Sequence, residues 1–220
     1  MLPELRTQVW EANVALPREG LVRGTSGNAS GRDAATGLVA IKPSGMNFAA
    51  MTPDDLVIVD DTGTVVEGTL KPSVDTASHL YVYRHRDDVM GIVHTHSPYA
   101  TSFAIRGEPL GIYTTTAACI FGGDIPITEM AVIGEEDIGE QIVAHAGNSP
   151  AVLVRHHGVF TFGDSPSSAL RAAVYVEEEA EAIHLALLRG DIVALDDATI
   201  AAARAWYLAD YGQAPRTGGA

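Results

Sequence analysis

Cysteine occurs once, at Cys119, so no disulfide can close within the chain and the core must hold the fold unaided. Such usage fits a reducing compartment, and Cys119 reads as a small buried hydrophobe. No apolar stretch approaches the roughly 18 residues of a membrane span. Met1-Leu2-Pro3-Glu4-Leu5-Arg6 carries charge where a secretory signal would be apolar. We therefore expect a soluble, cytoplasmic protein without a membrane partner. Positive charge is scarce as well: Lys plus Arg total 14 against 28 Asp plus Glu, a formal net charge of −14 with histidine neutral. That balance argues against nucleic acid and acidic membrane surfaces as partners. Lysine is scarcest of all. Lys42 and Lys71 are the only two, and each heads the same tripeptide, Lys42-Pro43-Ser44 and Lys71-Pro72-Ser73.

What is present is ordinary globular material: 220 residues, 46% hydrophobic and 19% charged, enough for one full core. We expect a single domain over residues 1–213 and a flexible tail over 214–220. Apolar residues at Leu5, Val9, Ala12 and Leu16 predict an opening helix that stops at Pro17 and Gly20. The run Gly24-Thr25-Ser26-Gly27-Asn28-Ala29-Ser30-Gly31 is polar and glycine-rich, and reads as exposed turns. Strands are predicted at 38–41, 56–59, 64–67, 91–96, 151–154 and 159–162, with Asp60-Asp61-Thr62-Gly63 turning a hairpin. Helices are predicted at 75–85, capped by Ser73 or Asp75, and at 98–105, 135–146, 165–188 and 197–208. Glu177, Glu178, Glu179 and Glu181 of the longest helix read as a solvated face. Strands mixed with helices, without repeat or linker, indicate one α/β domain around a mixed or largely antiparallel sheet.

The sharpest chemical feature is His94-Thr95-His96. On a strand, residues i and i+2 share a face, so two imidazoles at this spacing can chelate one ion without distorting the backbone. Alone, the pair would favour the plainer reading of two hydrogen-bonded histidines at a strand end. His156-His157 at the end of a later strand, and Asp75 at a helix start, supply further ligands. Three histidines and a carboxylate suit a divalent transition metal, zinc first. Gly27-Asn28, Ser44-Gly45 and Ser73 fall in turns where amides and hydroxyls can meet an anion, Ser73 just before a helix N-terminus. Most such loops only turn the chain. Two of the three, however, carry the only lysines, and Lys42 is favoured over Lys71 as a pocket cation.

Seven ordered motifs spanning nearly the whole chain carry a family resemblance. They are Gly24-Thr25-Ser26-Gly27-Asn28-Ala29-Ser30, Ile41-Lys42-Pro43-Ser44-Gly45, Met51-Thr52-Pro53-Asp54-Asp55-Leu56, Lys71-Pro72-Ser73-Val74-Asp75-Thr76, Val93-His94-Thr95-His96-Ser97, His156-His157-Gly158 and Tyr211-Gly212-Gln213. Together they resemble the class II aldolase/adducin-head family, the group containing L-fuculose-phosphate aldolase and L-ribulose-5-phosphate 4-epimerase. The resemblance implies a three-layer α/β/α sandwich with a mixed, largely antiparallel sheet, assembled as a homotetramer with interfacial active sites. It implies a metal, zinc with manganese or cobalt as alternatives, held by His94, His96 and His157, with Asp75 as fourth ligand or proton carrier. His156 is then a neighbour. Phosphate would meet Gly27, Asn28, Lys42, Ser44, Gly45, Ser73 and Val74, the last through its backbone amide alone.

The implied chemistry is metal-assisted cleavage or formation of a carbon–carbon bond in a small phosphorylated ketose through a stabilised enediolate, within carbohydrate metabolism such as pentose catabolism. Releasing the aldehyde makes an aldolase; rotating and rejoining it makes an epimerase. Epimerases carry an aspartate that maps here to Ala118 or Cys119, and a C-terminal histidine replaced by Trp206. These losses favour aldol cleavage over L-ribulose-5-phosphate 4-epimerase. Fuculose-phosphate aldolases in turn use glutamate where Asp75 stands, and their central tyrosine aligns with Thr116, with Tyr113 nearby but out of register. Tyr211 fits the C-terminal tyrosine of both groups and is the expected proton donor. A related sugar-acid decarboxylase or dehydratase, and a non-catalytic module like the adducin head, are the further alternatives.

Overall fold

The computed structural model describes residues 1–211. The expected tail at 214–220, with Gly212 and Gln213, lies outside them. Helix α1 (Pro3–Arg18) opens the chain and runs through Pro17, ending short of Gly20. Strands β1 (Asn28–Arg32), β2 (Val39–Ile41), β3 (Val57–Val59) and β4 (Val65–Glu67) follow, then α2 (Thr76–His85), β5 (Gly91–Thr95), α3 (Pro98–Arg106) and α4 (Thr115–Phe121). Helix α5 (Asp137–Ala146), strands β6 (Ala151–Val154) and β7 (Gly158–Gly163), α6 (Pro166–Leu187) and α7 (Asp197–Asp210) complete it. The strands form one sheet in the order β4-β3-β2-β1-β5-β7-β6, and every named pairing is antiparallel. Among the described residues the parallel component reduces to a single bridge, Ile127 to Leu153. Among the described residues no helix is long and apolar enough to cross a membrane.

Three layers result from strand alternation. Val57, Val59, Ile92, Val152, Val154 and Phe160 face α2 and α5 on one side. Ala29, Ala40, Ile58 and Val93 face α1 and the first turns of α6 on the other. Toward β6, α3, α4, α6 and α7 close over Leu153 and Val159. Both cores follow the period of two that puts neighbouring residues on opposite faces.

Four expectations are corrected. The Gly24–Gly31 run is not all exposed turn, because Asn28–Arg32 is the buried strand β1 between β2 and β5. Its polar atoms are satisfied internally: Asn13 of α1 bonds the Ala29 amide and carbonyl at 2.8 and 3.0 Å, and the Ser30 hydroxyl meets His79 and Tyr83. Glycine serves as spacing there, since a Cβ on Gly31 would lie within 2.9 Å of Leu5, Val9 and Pro166. Second, Glu179 is buried, 2% exposed, and accepts from the Tyr113 and Thr114 amides and the Thr114 hydroxyl, tying the start of α4 to α6. Third, Asp75 makes no side-chain cap on α2; its carboxylate turns elsewhere. Fourth, Cys119 is only half-buried, its thiol directed at the Ala203 carbonyl.

His79 lies wholly inside, its Nδ1 2.7 Å from the Ser30 hydroxyl. Burial, partly offset by Asp75, pushes its pKa from 6.5 down to about 4. The unfolded chain therefore takes up a proton near pH 6.5 that the folded chain refuses. The stability at stake is complete above that pH and is lost as pH falls toward 4. Measured by urea unfolding of metal-free protein, wild type should lose about 2 kcal/mol more between pH 7 and pH 5 than His79→Gln does. Equal losses would contradict a buried neutral His79.

Candidate metal centre and anion pocket

Strand β5 delivers the first histidine. His94 stands on the face shared with Ile92, opposite Asn28 of β1 and Phe160 of β7 in the strand register. A carbonyl can only accept, so the 2.9 Å contact from His94 Nδ1 to the Val159 oxygen makes Nδ1 the protonated nitrogen. Nε2 is left as a lone pair, and the ring stacks on Phe160 at 4.2 Å. His96, just past the strand, brings its Nε2 to 3.0 Å from His94 Nε2. His157 comes from the turn between β6 and β7, its ring 4.8 Å from His94 and 5.0 Å from His96.

One ligand atom from each of His94, His96 and His157 falls within a 4.8 Å span. Burial holds all three imidazoles below their ordinary pKa, His94 at about 3, so they are neutral at pH 7 and available as ligands. Among the described residues Nδ1 of His157 is buried with no hydrogen-bond partner, an orphan that an ion-binding arrangement would explain. Three neutral imidazoles brought together, with the outer nitrogen of His94 fixed by the Val159 carbonyl, form a donor set that fits a divalent metal.

Asp75 lies at the same cavity but outside the three-histidine cluster. Its Oδ2 accepts from Asn28 Nδ2 at 2.7 Å, with the Ser73 hydroxyl at 3.4 Å. Burial would raise its pKa; His94, His79, the Asn28 hydrogen bond and His157 outweigh that and lower it, so Asp75 is ionised.

The two lysine tripeptides lie side by side. The Ser44 amide donates to the Lys71 carbonyl at 2.9 Å, the Ser73 amide donates to the Lys42 carbonyl at 3.0 Å, and Pro43 bridges Pro72 in antiparallel sense. This pairing brings both serines to one cavity of about 240 Å³, which also reaches the three histidines. Lys42 is 2% exposed, its Nζ 3.2 Å from the Thr25 carbonyl and 4.6 Å over the Phe48 ring. Burial lowers its pKa and Asp75 partly restores it. Lys71 points away from this cavity into a second one.

Gly27, Asn28, Lys42, Ser44, Gly45, Ser73 and Val74 all line the histidine cavity, as do Asp75, His94, His96 and His157. Gly27 has φ +78°, and a Cβ there would press into Val22 and the His94 carbonyl. Tyr211 is elsewhere: it is exposed beside α7, stacked on Tyr207 at 4.7 Å. Trp206 is on that helix, and Ala118, a residue of α4, is buried in the core. Sequence reasoning did not name Thr25, Ser26 or Ile133, which also line the cavity. The first two sit inside a motif it did quote. Ile133, on the exposed Met130–Ile133 stretch, has no sequence signal of its own.

Comparison with known proteins agrees with this geometry. Residues 7–184 match the Class II Aldolase and Adducin N-terminal domain family. An L-fuculose 1-phosphate aldolase structure is 30% identical, with a TM-score of 0.88 over 93% of this chain and 96% of that one. YgbL from Escherichia coli, named by three alternative activities as aldolase, epimerase and decarboxylase, is 25% identical over 92% of this chain and 98% of its own, with a TM-score of 0.82. L-fuculose-1-phosphate aldolase from Thermus thermophilus is 27% identical over 87% of this chain and 98% of its own, with a TM-score of 0.71. With the family matched over most of its length and the histidine cluster in place, the chain belongs to the class II aldolase and adducin N-terminal domain family.

Proposed function

We propose that the protein is a divalent-metal aldolase that makes or breaks a carbon–carbon bond in a small phosphorylated ketose. The observation that carries this reading is the single cavity lined at once by three neutral histidines, an ionised aspartate and a buried lysine among turn amides. His94, His96 and His157 hold the ion, zinc first. The chemistry a divalent cation supplies when bound is Lewis acidity toward the ketose carbonyl. Lys42, the Ser44 and Ser73 hydroxyls and the amides of Gly27, Gly45 and Val74 take the phosphate, whose charge Lys42 meets in a site shielded from water.

In the bond-forming direction, Asp75 removes a proton from the carbon beside the carbonyl, and that carbon attacks the aldehyde. Its grip by Asn28, and its place outside the histidine cluster, support a proton carrier over a fourth ligand. Tyr211 donates the proton to the former aldehyde oxygen. It does so from a neighbouring copy in a homotetramer, a reading supported by its distance from its own chain's cavity and by the exposed Trp206, Leu208 and Tyr211 beside it. L-Fuculose 1-phosphate is the first substrate to try, on the names of the relatives. Epimerisation of L-ribulose 5-phosphate is the second reading, kept because the metal and phosphate residues serve both reactions.

Zinc-loaded protein incubated with L-fuculose 1-phosphate and with L-ribulose 5-phosphate should release free aldehyde, read with a coupled dehydrogenase. Stereochemical inversion without aldehyde would overturn the aldolase reading in favour of the epimerase.

Two substitutions separate the roles of the cavity. His94→Ala should lose its zinc and lower kcat/KM by about 1,000-fold or more. Lys42→Met should keep zinc and raise KM for the phosphorylated substrate by roughly 10- to 100-fold, the worth of one charged hydrogen bond. Zinc retained with full turnover in His94→Ala would contradict the metal assignment.

A further inference from the structure

Among the described residues only two that are not glycine adopt a left-handed backbone: Leu2 at the cap of α1, and His156 with φ 58°. Glycine fills such positions without cost, histidine tolerates them better than most residues, and β-branched residues scarcely enter them. The His156 side chain is exposed, and among the described residues it has no hydrogen-bond partner. Nothing the imidazole does explains the strained backbone, which directs attention to what the backbone does.

Only Arg155, His156 and His157 separate β6 from β7, with Val154 paired to Gly158. The His157 amide donates to the Val154 carbonyl at 2.9 Å and closes the turn. The His156 amide donates to the Ala104 carbonyl of α3 at 3.1 Å. On the other side, a Cβ on Gly158 would strike the Thr95 carbonyl oxygen and come within 2.9 Å of the His96 ring. The turn is therefore wedged between α3 and the end of β5 where the other two histidines stand. In a connection this short, the handedness of the middle residue sets the direction in which the next side chain leaves.

We propose that His156 is a positioning residue whose left-handed backbone, not its imidazole, aims His157 into the cluster with His94 and His96. The proposal rests on the metal reading given above and assigns a role to a residue that makes no contact with the cavity. Because it acts through geometry, side chains that accept the left-handed region should replace histidine freely, and side chains that reject it should not.

The test compares wild type, His156→Gly, His156→Asn and His156→Val by zinc affinity in competition with a chromogenic chelator, alongside urea unfolding of the metal-free proteins. The Gly and Asn variants should bind zinc within about threefold of wild type, and Val should weaken binding by roughly 10- to 100-fold, as loss of ligand orientation does elsewhere. Should the Val variant fail to fold, His156→Ala replaces it, with a smaller loss that Gly does not share. Wild-type affinity in folded His156→Val would overturn the proposal. So would an equal loss in His156→Gly, which would make the imidazole itself a ligand. Wild type that binds no zinc would instead overturn the metal reading, a separate and visible result.

Discussion

The cavity depends on the register of β5, paired with β1 on one edge and β7 on the other. That register sets Asn28, His94 and Phe160 in one row across the sheet and lays the His94 ring against Phe160 while its Nδ1 reaches the Val159 carbonyl. A slip of one residue would send His94 to the α1 and α6 face and bring Val93 to the cavity. Tight packing opposes such a slip. A side chain on Gly91 would collide with the Ser165 backbone, and one on Gly27 with Val22, so the strand and its approach admit one alignment. His96 then follows by strand parity, and His157 by the turn beyond β6.

Burial sets the chemistry of what the register assembles. It keeps three imidazoles neutral, which is the ligand form, while the Asp75 carboxylate, which accepts from Asn28, has its pKa lowered despite its own desolvation. The net charge of −14 belongs to the surface as a whole. An anion responds to its immediate surroundings, and here those are Lys42, two hydroxyls and turn amides in a pocket where nearby charges are poorly screened. The scarcity of lysine makes the placement of Lys42 informative. It is almost fully buried, held over Phe48 with its ammonium group near two backbone carbonyls.

Much of this was legible in the sequence because it is periodic or local. Short apolar runs marked every sheet segment but β1, helical spacing marked all the longer helices, and His94-Thr95-His96 declared itself by its spacing. The duplicated Lys-Pro-Ser was legible as a repeat, but its meaning, a reciprocal pair of backbone hydrogen bonds, is a contact between distant segments that no local pattern encodes. The same limit explains the errors. Asn28–Arg32 reads as a polar turn because the groups that satisfy it, Asn13, His79 and Tyr83, lie far along the chain. Glu179 reads as solvated for want of any sign that the Tyr113 and Thr114 amides approach it. The choice between His156 and His157 was likewise closed to parity, since His156 itself is left-handed and the turn is not extended strand.

The central claim is that one divalent ion belongs at the convergence of His94, His96 and His157. Crystals of the zinc-loaded protein, measured on both sides of the zinc absorption edge, test it most directly. The account predicts one anomalous peak about 2.0–2.1 Å from a ring nitrogen of each of these three histidines, with His156 outside the coordination shell. A zinc peak held by His156, or zinc bound at full stoichiometry elsewhere with these three rings uncoordinated, would contradict it.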